Sequence, residues 1–353
     1  MTLEQINYLR LRRQGLIEPV NASGYEQLFR NMSPVPTKFW IEPGTAPEIE
    51  HRCDFNDQDA NDFARRMRSI VKGRFQGGNV GYVYQDEMPL FAAVYRKPIN
   101  RFTEIESTIL TLLHNEGPMN LKLMKEITGI LNKDLSKAAQ HLQKAFMLFE
   151  DQVDKDNDRA WFLLEDEFDE LDFEKLDETE GLQEVIRRFL TMNVMADGTM
   201  IKSFTKLTNK VIKTTIQNML EEGTLVALDI EGYRGYMLSV DVAEVKKVDT
   251  SVPDLLLFLD NNDYLVKSNE LTLKKRFTKS SYKTLGYIYK QGEFVGRLLG
   301  YFRFGPDDLE DIELDVEKAF QDAWKERIVK LIENAYEGQD NVLKRYCSEK
   351  ITV

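Results

Sequence analysis

Cysteine is scarce in this chain. Cys53 and Cys347 are the only two in 353 residues, and they lie far apart. That excludes a disulfide framework and fits a reducing cytoplasm. Histidine is equally rare, with only His51, His114 and His141. No Cys/His spacing has the form of a zinc site, so no structural metal is expected. No apolar run approaches the ~18–20 residues that cross a bilayer. The opening Met1-Thr2-Leu3-Glu4-Gln5 lacks the basic and then apolar layout of a signal peptide. Gly77-Gly78 matches no phosphate-loop pattern, so no nucleotide cofactor is expected either. These absences predict a cytoplasmic chain with no membrane contact.

What is present is enough for real cores. Apolar residues make up 42% of the chain, including 14 Tyr and 20 Phe, which argues against disorder. The length suggests two or three domains, or several small modules packed together. The net charge of -12 is concentrated. Residues 150–180 hold 15 Asp/Glu and 3 Lys/Arg, leaving 44 acidic and 44 basic residues elsewhere. A neutral body with one acidic belt can still carry a basic face. The belt reads either as a solvated linker or as a phosphate mimic beside a nucleic-acid channel.

An internal repeat organises the middle of the chain. In the first copy, Ile105, Ile109, Leu112 and Leu113 recur at helical spacing, and Gly117-Pro118 stops the helix. Leu121 to Ile127 predicts a second helix. A third starts near Asn132, read as its N-cap, and runs through Leu135, Ala139 and Leu142. Met147–Val153 and Ala160–Leu164 predict two strands joined by the turn Asp154-Lys155-Asp156-Asn157-Asp158. The second copy repeats this order at a shift of about 77 residues. Helices are predicted at Leu182–Phe189 and Thr199–Leu207, and another from the N-cap Asn209 through Ile212, Ile216 and Met219. Strands at Leu225–Ile230 and Gly235–Val240 flank the hairpin signal Glu231-Gly232. Three helices followed by a hairpin is the layout of a winged helix, whose later helix enters the major groove of DNA.

The flanks are less regular. Helices are predicted at Leu3–Leu16, Tyr25–Arg30 and Asn56–Lys72, with extended segments at Phe75–Tyr84 and Phe91–Tyr95. After Pro253, Tyr264–Leu273, Leu285–Lys290 and Phe294–Phe304 read as strands of a small β-rich domain or barrel. An amphipathic helix follows at Val316–Tyr336. The expectation is therefore an α+β chain of three tandem winged-helix modules around a C-terminal β-barrel-like domain with a final helix. The segments are 1–100, a divergent N-terminal winged helix; 101–165, a second; 166–180, an acidic linker; 181–250, a third; 251–315, the barrel; and 316–353, the final helix and tail.

Three short segments carry a family resemblance. Leu9-Arg10-Leu11-Arg12-Arg13-Gln14-Gly15-Leu16 resembles the opening of the bacterial winged-helix DNA glycosylases of the AlkZ/YcaQ type, which unhook interstrand crosslinks. Gly77-Gly78-Asn79-Val80-Gly81-Tyr82, leading to Met88-Pro89-Leu90, is similar to that family's Arg-Gly-Thr-Leu-His segment. Gly286-Tyr287-Ile288-Tyr289-Lys290-Gln291-Gly292-Glu293-Phe294-Val295-Gly296-Arg297 resembles its C-terminal sheet. The resemblance implies three winged helices around a barrel, and an alkylation- or crosslink-repair activity on DNA. It also implies a Gln-x-Gln catalytic pair soon after the first helix, or Gln-x-Asp in the related crosslink enzymes. The sequence departs here, because no two glutamines are separated by one residue anywhere. The equivalent stretch is Leu28-Phe29-Arg30-Asn31-Met32-Ser33-Pro34-Val35, in which Asn31 and Ser33 are the candidate polar pair. Breaking an N-glycosidic bond needs a group that stabilises an oxocarbenium-like sugar and positions water.

Candidate contacts to duplex DNA are Arg10 and Arg13 in the first helix, Arg65 and Arg66 in the third, and Lys133 and Lys137 in the first repeat. Lys206, Lys210, Lys213 and the hairpin residue Arg234 come from the second repeat. Lys275 and Arg276 belong to a late basic cluster, with Lys267, Lys274, Lys279 and Lys283, interleaved with Tyr264, Phe277 and Tyr282. An exposed groove lined by Lys210, Arg66 and Arg276 would discriminate DNA binding from a scaffold without it, and their lying on unrelated faces would weaken the DNA reading. The helix lysines also read as an ordinary solvated face and the late cluster as a charged strand edge that resists aggregation, and of Arg10, Arg12 and Arg13 one or two are expected to pair with internal acids. Trp40, Trp161 and Trp324 read as core anchors. The expected partner is DNA, duplex and damaged, bound by a monomer. The alternative is a non-catalytic regulator or protein-interaction scaffold.

Overall fold

The computed structural model describes residues 1–38, 44–152, 159–277, 280–302, 307–337 and 342–351. Trp40, Lys279 and the turn 154–158 lie outside the described residues. Among the described residues, no helix is long and apolar enough to cross a membrane.

The N-terminal region holds α1 (Leu3–Arg13), α2 (Ala22–Met32) and α3 (Asp57–Arg66). An antiparallel hairpin follows, β1 (Ile70–Arg74) and β2 (Val80–Tyr84), and then α4 (Met88–Tyr95). Two expectations are corrected here. The third helix stops at Arg66, and Arg68 takes φ 61, so Lys72 sits in a strand instead of on a basic helix face. The segment Phe91–Tyr95 is helical, not extended. Pro89 stands in the first turn of α4, where its missing N–H costs nothing, and Phe91 stacks on Tyr95 one turn later at 6.4 Å.

Both repeats fold in the order expected of a winged helix. The first runs α5 (Glu104–Glu116), β3 (Met119–Asn120), α6 (Leu121–Thr128), α7 (Asn132–Lys144), β4 (Leu148–Asp151) and β5 (Ala160–Leu163). After α8 (Leu164–Glu167), the second runs α9 (Glu178–Asn193), β6 (Met195–Ala196), α10 (Gly198–Thr205), α11 (Asn209–Glu221), β7 (Leu225–Ile230) and β8 (Tyr233–Leu238). In each copy the short first strand pairs with the last, giving the orders β3-β5-β4 and β6-β8-β7. The caps fall one residue earlier than expected. Leu131 caps α7 without a side-chain bond, and Thr208 caps α11 by accepting from the Val211 N–H.

Entry into the first repeat is locked by a capping box. The Thr103 hydroxyl accepts from the Glu106 N–H, and the Glu106 carboxylate accepts from the Thr103 N–H at 2.8 Å. The second carboxylate oxygen meets His141 Nδ1 at 2.5 Å, which joins α5 to α7. Thr103→Ala is expected to cost about 1 kcal/mol of stability. Urea denaturation checks this, and an unchanged midpoint would mean that the box carries nothing.

The chain continues through α12 (Asp241–Lys246) to β9 (Leu256–Asp260), α13 (Tyr264–Arg276), β10 (Lys283–Lys290), β11 (Glu293–Tyr301), β12 (Asp308–Leu314), α14 (Lys318–Ala335), β13 (Arg345–Tyr346) and β14 (Glu349–Lys350). The expected barrel is not closed. These strands form one open sheet in the order β14-β13-β12-β11-β10-β9. Tyr264–Leu273 is a helix, not a strand. Leu271 and Leu273 alternate with polar residues, which mimics a strand, but Tyr264, Leu265, Val266, Ser268 and Leu273 are the buried positions. Asp263 starts the helix by accepting from the Leu265 N–H at 2.7 Å.

The cores run across module borders. Tyr25, Phe29, Met32 and Tyr82 of the N-terminal region pack with Phe189, Phe204 and Ile212 of the second repeat and with Tyr264. Phe75 and Phe91 pack with Phe146, Phe149 and Phe168 of the first repeat and the segment after it. Fully burying each such side chain is worth about 1.5–3 kcal/mol. Trp161 is buried in the first repeat's own core, whereas Trp324 is only partly buried, stacked on Phe320. The acidic belt divides in two. Glu150 and Asp151 are buried and paired with Lys72, Arg159 and Arg68, binding the β4–β5 hairpin to the N-terminal region. Burial pushes the Glu150 carboxyl up, but the Lys72 and Arg159 charges outweigh it and hold it low. From Glu165 to Glu180 the carboxylates are exposed, while Phe168 anchors the segment.

Candidate nucleic-acid interface

The turn between β1 and β2 is the point where the modules meet. Gly77 and Gly78 take φ 72 and 91, which side chains rarely adopt. A Cβ on Gly77 would sit 3.4 Å from Lys206 Cβ, and one on Gly78 would sit 3.4 Å from Lys144 Cε. The turn is therefore wedged between the C-terminal end of α7 and Lys206, the residue that closes α10. Arg74 fixes it from below, donating to Gln143 Oε1 at 2.9 Å and to the Gly78 carbonyl at 3.3 Å.

Lysines lead away from this turn along both later helices. Lys133, Lys137 and Lys144 are spaced by four and seven residues, which puts them within about 40° of one another around α7. Lys210 and Lys213 stand on the first turns of α11, beyond Lys206. Lys133, Lys137, Lys210 and Lys213 are exposed, and among the described residues none forms an ion pair.

A cavity of about 320 Å³ opens beside the turn. Gln76 and Asn79 line it from the turn, Lys206 from the second repeat, and Asp260, Asp263 and Lys267 from the C-terminal domain. The loop after α2 supplies another wall, because Val35 exchanges both backbone hydrogen bonds with Tyr82 at 2.9 and 2.8 Å. The C-terminal domain is clamped to that wall. Asn262 donates to the Thr37 carbonyl at 2.9 Å, and Arg52 grips Asp263 through both nitrogens at 2.6 and 3.1 Å. Gly15 makes room for the Arg52 backbone, since a Cβ there would lie 2.6 Å from its carbonyl oxygen.

Most charges in the cavity are committed. Lys38 bridges Glu48 and Glu50 at 2.7 and 3.2 Å. Lys206 and Lys274 both bind Glu270. Burial pushes the Glu270 carboxyl up, but hydrogen bonds from these two lysines, with the Lys267 and Lys206 charges, bring it down to about 2. A depressed carboxyl stabilises the fold above its ordinary value of 4.5 and loses that contribution as pH falls towards 2. Carbon-detected NMR of Glu270 is expected to show a midpoint near 2. A midpoint at the ordinary value would mean that the two lysines do not hold it.

The predicted residues do not all converge. Asn31 and Ser33 do not line the cavity. Ser33 is buried and donates to the Phe29 carbonyl at 2.9 Å, while Asn31 accepts from Gln27 at 3.1 Å. The loop turns its next residues, Pro34 to Lys38, to the cavity instead. Three predicted arginines hold the protein together. Arg10 donates to the Asn193 and Met195 carbonyls at 2.9 and 3.0 Å. Arg13 binds Asp241 through two 2.7 Å bonds and meets Glu244, which Arg12 also binds. Arg65 is buried between Asp62 and the Gly44 and Gln152 carbonyls. Arg66 pairs with Asp62 at 2.8 Å and Arg276 with Asp315 at 2.6 Å, so neither is a free groove charge beside Lys210. Arg234 stands exposed at the β7–β8 tip beside Asp229, and Lys275 is exposed without an ion pair among the described residues. Lys144 was missed. Its spacing from Lys137 carried the signal, but only packing shows that it abuts the glycine turn.

Among solved structures, the chain is similar in fold to Streptomyces sahachiroi DNA glycosylase AlkZ. The match covers 98% of this chain and 99% of that one, with a TM-score of 0.67 and 13% sequence identity. No protein-family model matches the sequence, and no curated protein matches it.

Proposed function

We propose that this chain binds duplex DNA through α7 and α11, acting as the later helices of winged-helix modules, and draws a damaged nucleotide into the cavity beside the glycine turn. The observation that carries this reading is the arrangement of exposed lysines that form no ion pair among the described residues. Lys133 and Lys137 lead to the turn from one side, and Lys210 and Lys213 from the other. Phosphates are met by such mobile, uncommitted ammonium groups, and enzymes that act on a base must extrude it into a pocket. The cavity volume lies at the lower end of the range for small-molecule sites. The likeness of fold to a DNA glycosylase supports hydrolysis of an N-glycosidic bond as the chemistry. Asp260 is then the carboxylate that faces the oxocarbenium-like sugar, in place of the absent glutamine pair. The net charge of -12 does not oppose this, because the excess sits in residues 150–180.

A second reading, a DNA binder without chemistry, is favoured by the positions of Asn31 and Ser33 outside the cavity. One experiment separates the two. Fluorescent duplexes, plain and carrying an alkylated purine, are titrated across a salt series. Affinity that falls steeply with salt supports the phosphate contacts. Release of the altered base supports hydrolysis, and tight binding without release supports the second reading. Flat or absent binding to both duplexes sinks the DNA reading.

A further inference from the structure

We propose that Lys267 is an amine nucleophile that forms an imine with the C1′ aldehyde of a base-free deoxyribose held in the cavity. This rests on the DNA reading above, and it adds a covalent step and a residue to it.

Lys267 stands out among the lysines lining the cavity. Lys38 is bound to Glu48 and Glu50, and Lys206 to Glu270. The Lys267 ammonium has neither a hydrogen bond nor an ion pair among the described residues. Its backbone is held firmly. Its N–H donates to the Asp263 carbonyl at 2.8 Å, and its carbonyl accepts from the Ser203 hydroxyl at 2.8 Å. A fixed stem thus carries an uncommitted amine at the cavity wall, half-buried.

The groups around it lower the Lys267 ammonium below its ordinary value. Burial lowers the Lys267 ammonium first, and the Lys206 and Lys274 charges lower it further. The Glu270 and Asp260 carboxylates oppose them and do not win. Glu270 is already engaged by Lys206 and Lys274. A lysine desolvated beside other cations is the arrangement that activates an amine for imine chemistry.

Loss of a base leaves a deoxyribose that equilibrates with its open-chain aldehyde. The neutral Nζ forms a bond to C1′. The C1′–O bond then breaks, and the oxygen leaves as water, taking both amine protons. Asp260 lines the same cavity and can relay a proton in that dehydration. Water reverses the step and frees the lysine.

The test uses the full chain with two probes, each treated with borohydride. One is a duplex bearing a single abasic site, and the other is 2-deoxyribose 5-phosphate, which needs no duplex binding. The expected result is a reduced adduct on Lys267 with both probes, located by mass spectrometry, with a yield that rises with pH. Lys267→Arg and Lys267→Met should both abolish it, while melting temperatures near the parent's show that they fold. Arginine keeps the charge but cannot act as a free amine. Salt-dependent duplex binding without an adduct at Lys267 from either probe overturns the inference and leaves the DNA reading standing. An adduct spread over surface lysines, or one that persists in Lys267→Met, also overturns it. An adduct at Lys267 with the sugar phosphate, but no binding to any duplex, keeps the reactive amine and removes DNA as its source of aldehyde.

Discussion

Replacing Lys133, Lys137, Lys210 and Lys213 together with glutamate is expected to abolish duplex binding at ordinary salt while leaving the fold intact. All four are exposed and, among the described residues, hold no carboxylate. Their loss therefore breaks nothing inside the protein, and exposed changes of this kind usually move stability by less than about 0.5 kcal/mol. Their effect on DNA is large because each phosphate contact releases a counterion. Each contact changes the slope of log K against log salt by about 0.9, so four are worth roughly 10³–10⁴ in affinity near 0.1 M salt. Charge reversal adds repulsion to that loss. Reversal of Lys330, exposed on α14, should leave the slope as it was. If the fourfold variant keeps the parental slope, these two helices are not the DNA face.

The second large effect is on stability. Arg52 and Asp263 form a two-bond ion pair with side chains only 1% and 6% exposed, joining the N-terminal region to the start of α13. Asp263→Asn keeps a side-chain oxygen to cap Leu265 but leaves the guanidinium buried without its counter-charge. Removing one partner of such a pair costs about 3–5 kcal/mol. Asp263→Ala should cost about 1 kcal/mol more, because the cap is lost as well. The double change Arg52→Met with Asp263→Leu should recover much of the loss, since no buried charge remains. Denaturant unfolding of the four proteins measures this. A loss below about 1 kcal/mol for Asp263→Asn would mean that the pair is solvated and behaves like a surface bridge.

Both expectations depend on which charges are committed, and this is where sequence reasoning stopped. Lys133 and Arg65 look alike in a sequence: each is basic, on a helix, with other basic residues nearby. Among the described residues Lys133 forms no ion pair, whereas Arg65 is buried against Asp62 and the Gln152 carbonyl, 87 residues away. Arg13 is likewise held by Asp241, which no local pattern connects to it. The candidate pair Asn31 and Ser33 lies outside the cavity for a related reason. The loop after α2 turns at Ser33, whose hydroxyl returns to Phe29, and the residues after it reach the cavity.

The sequence by itself determined the repeat, the order of helices and hairpins in each copy, and the location of the excess negative charge. These are local properties. Apolar spacing, glycine stops at Gly117 and Gly129, and the hairpin signal at Glu231-Gly232 act within a few residues of where they are written. Tertiary structure decided the rest. It made Tyr264–Leu273 a helix although its alternation also suits a strand, and it left the C-terminal sheet open. It also built the cavity from segments near residues 35, 50, 78, 205 and 263, which meet because one core packs Met32, Val35, Ile49, Phe204 and Tyr264 together. A charge or a cavity wall takes its role from its neighbours in space, and those neighbours are chosen by packing between distant parts of the chain.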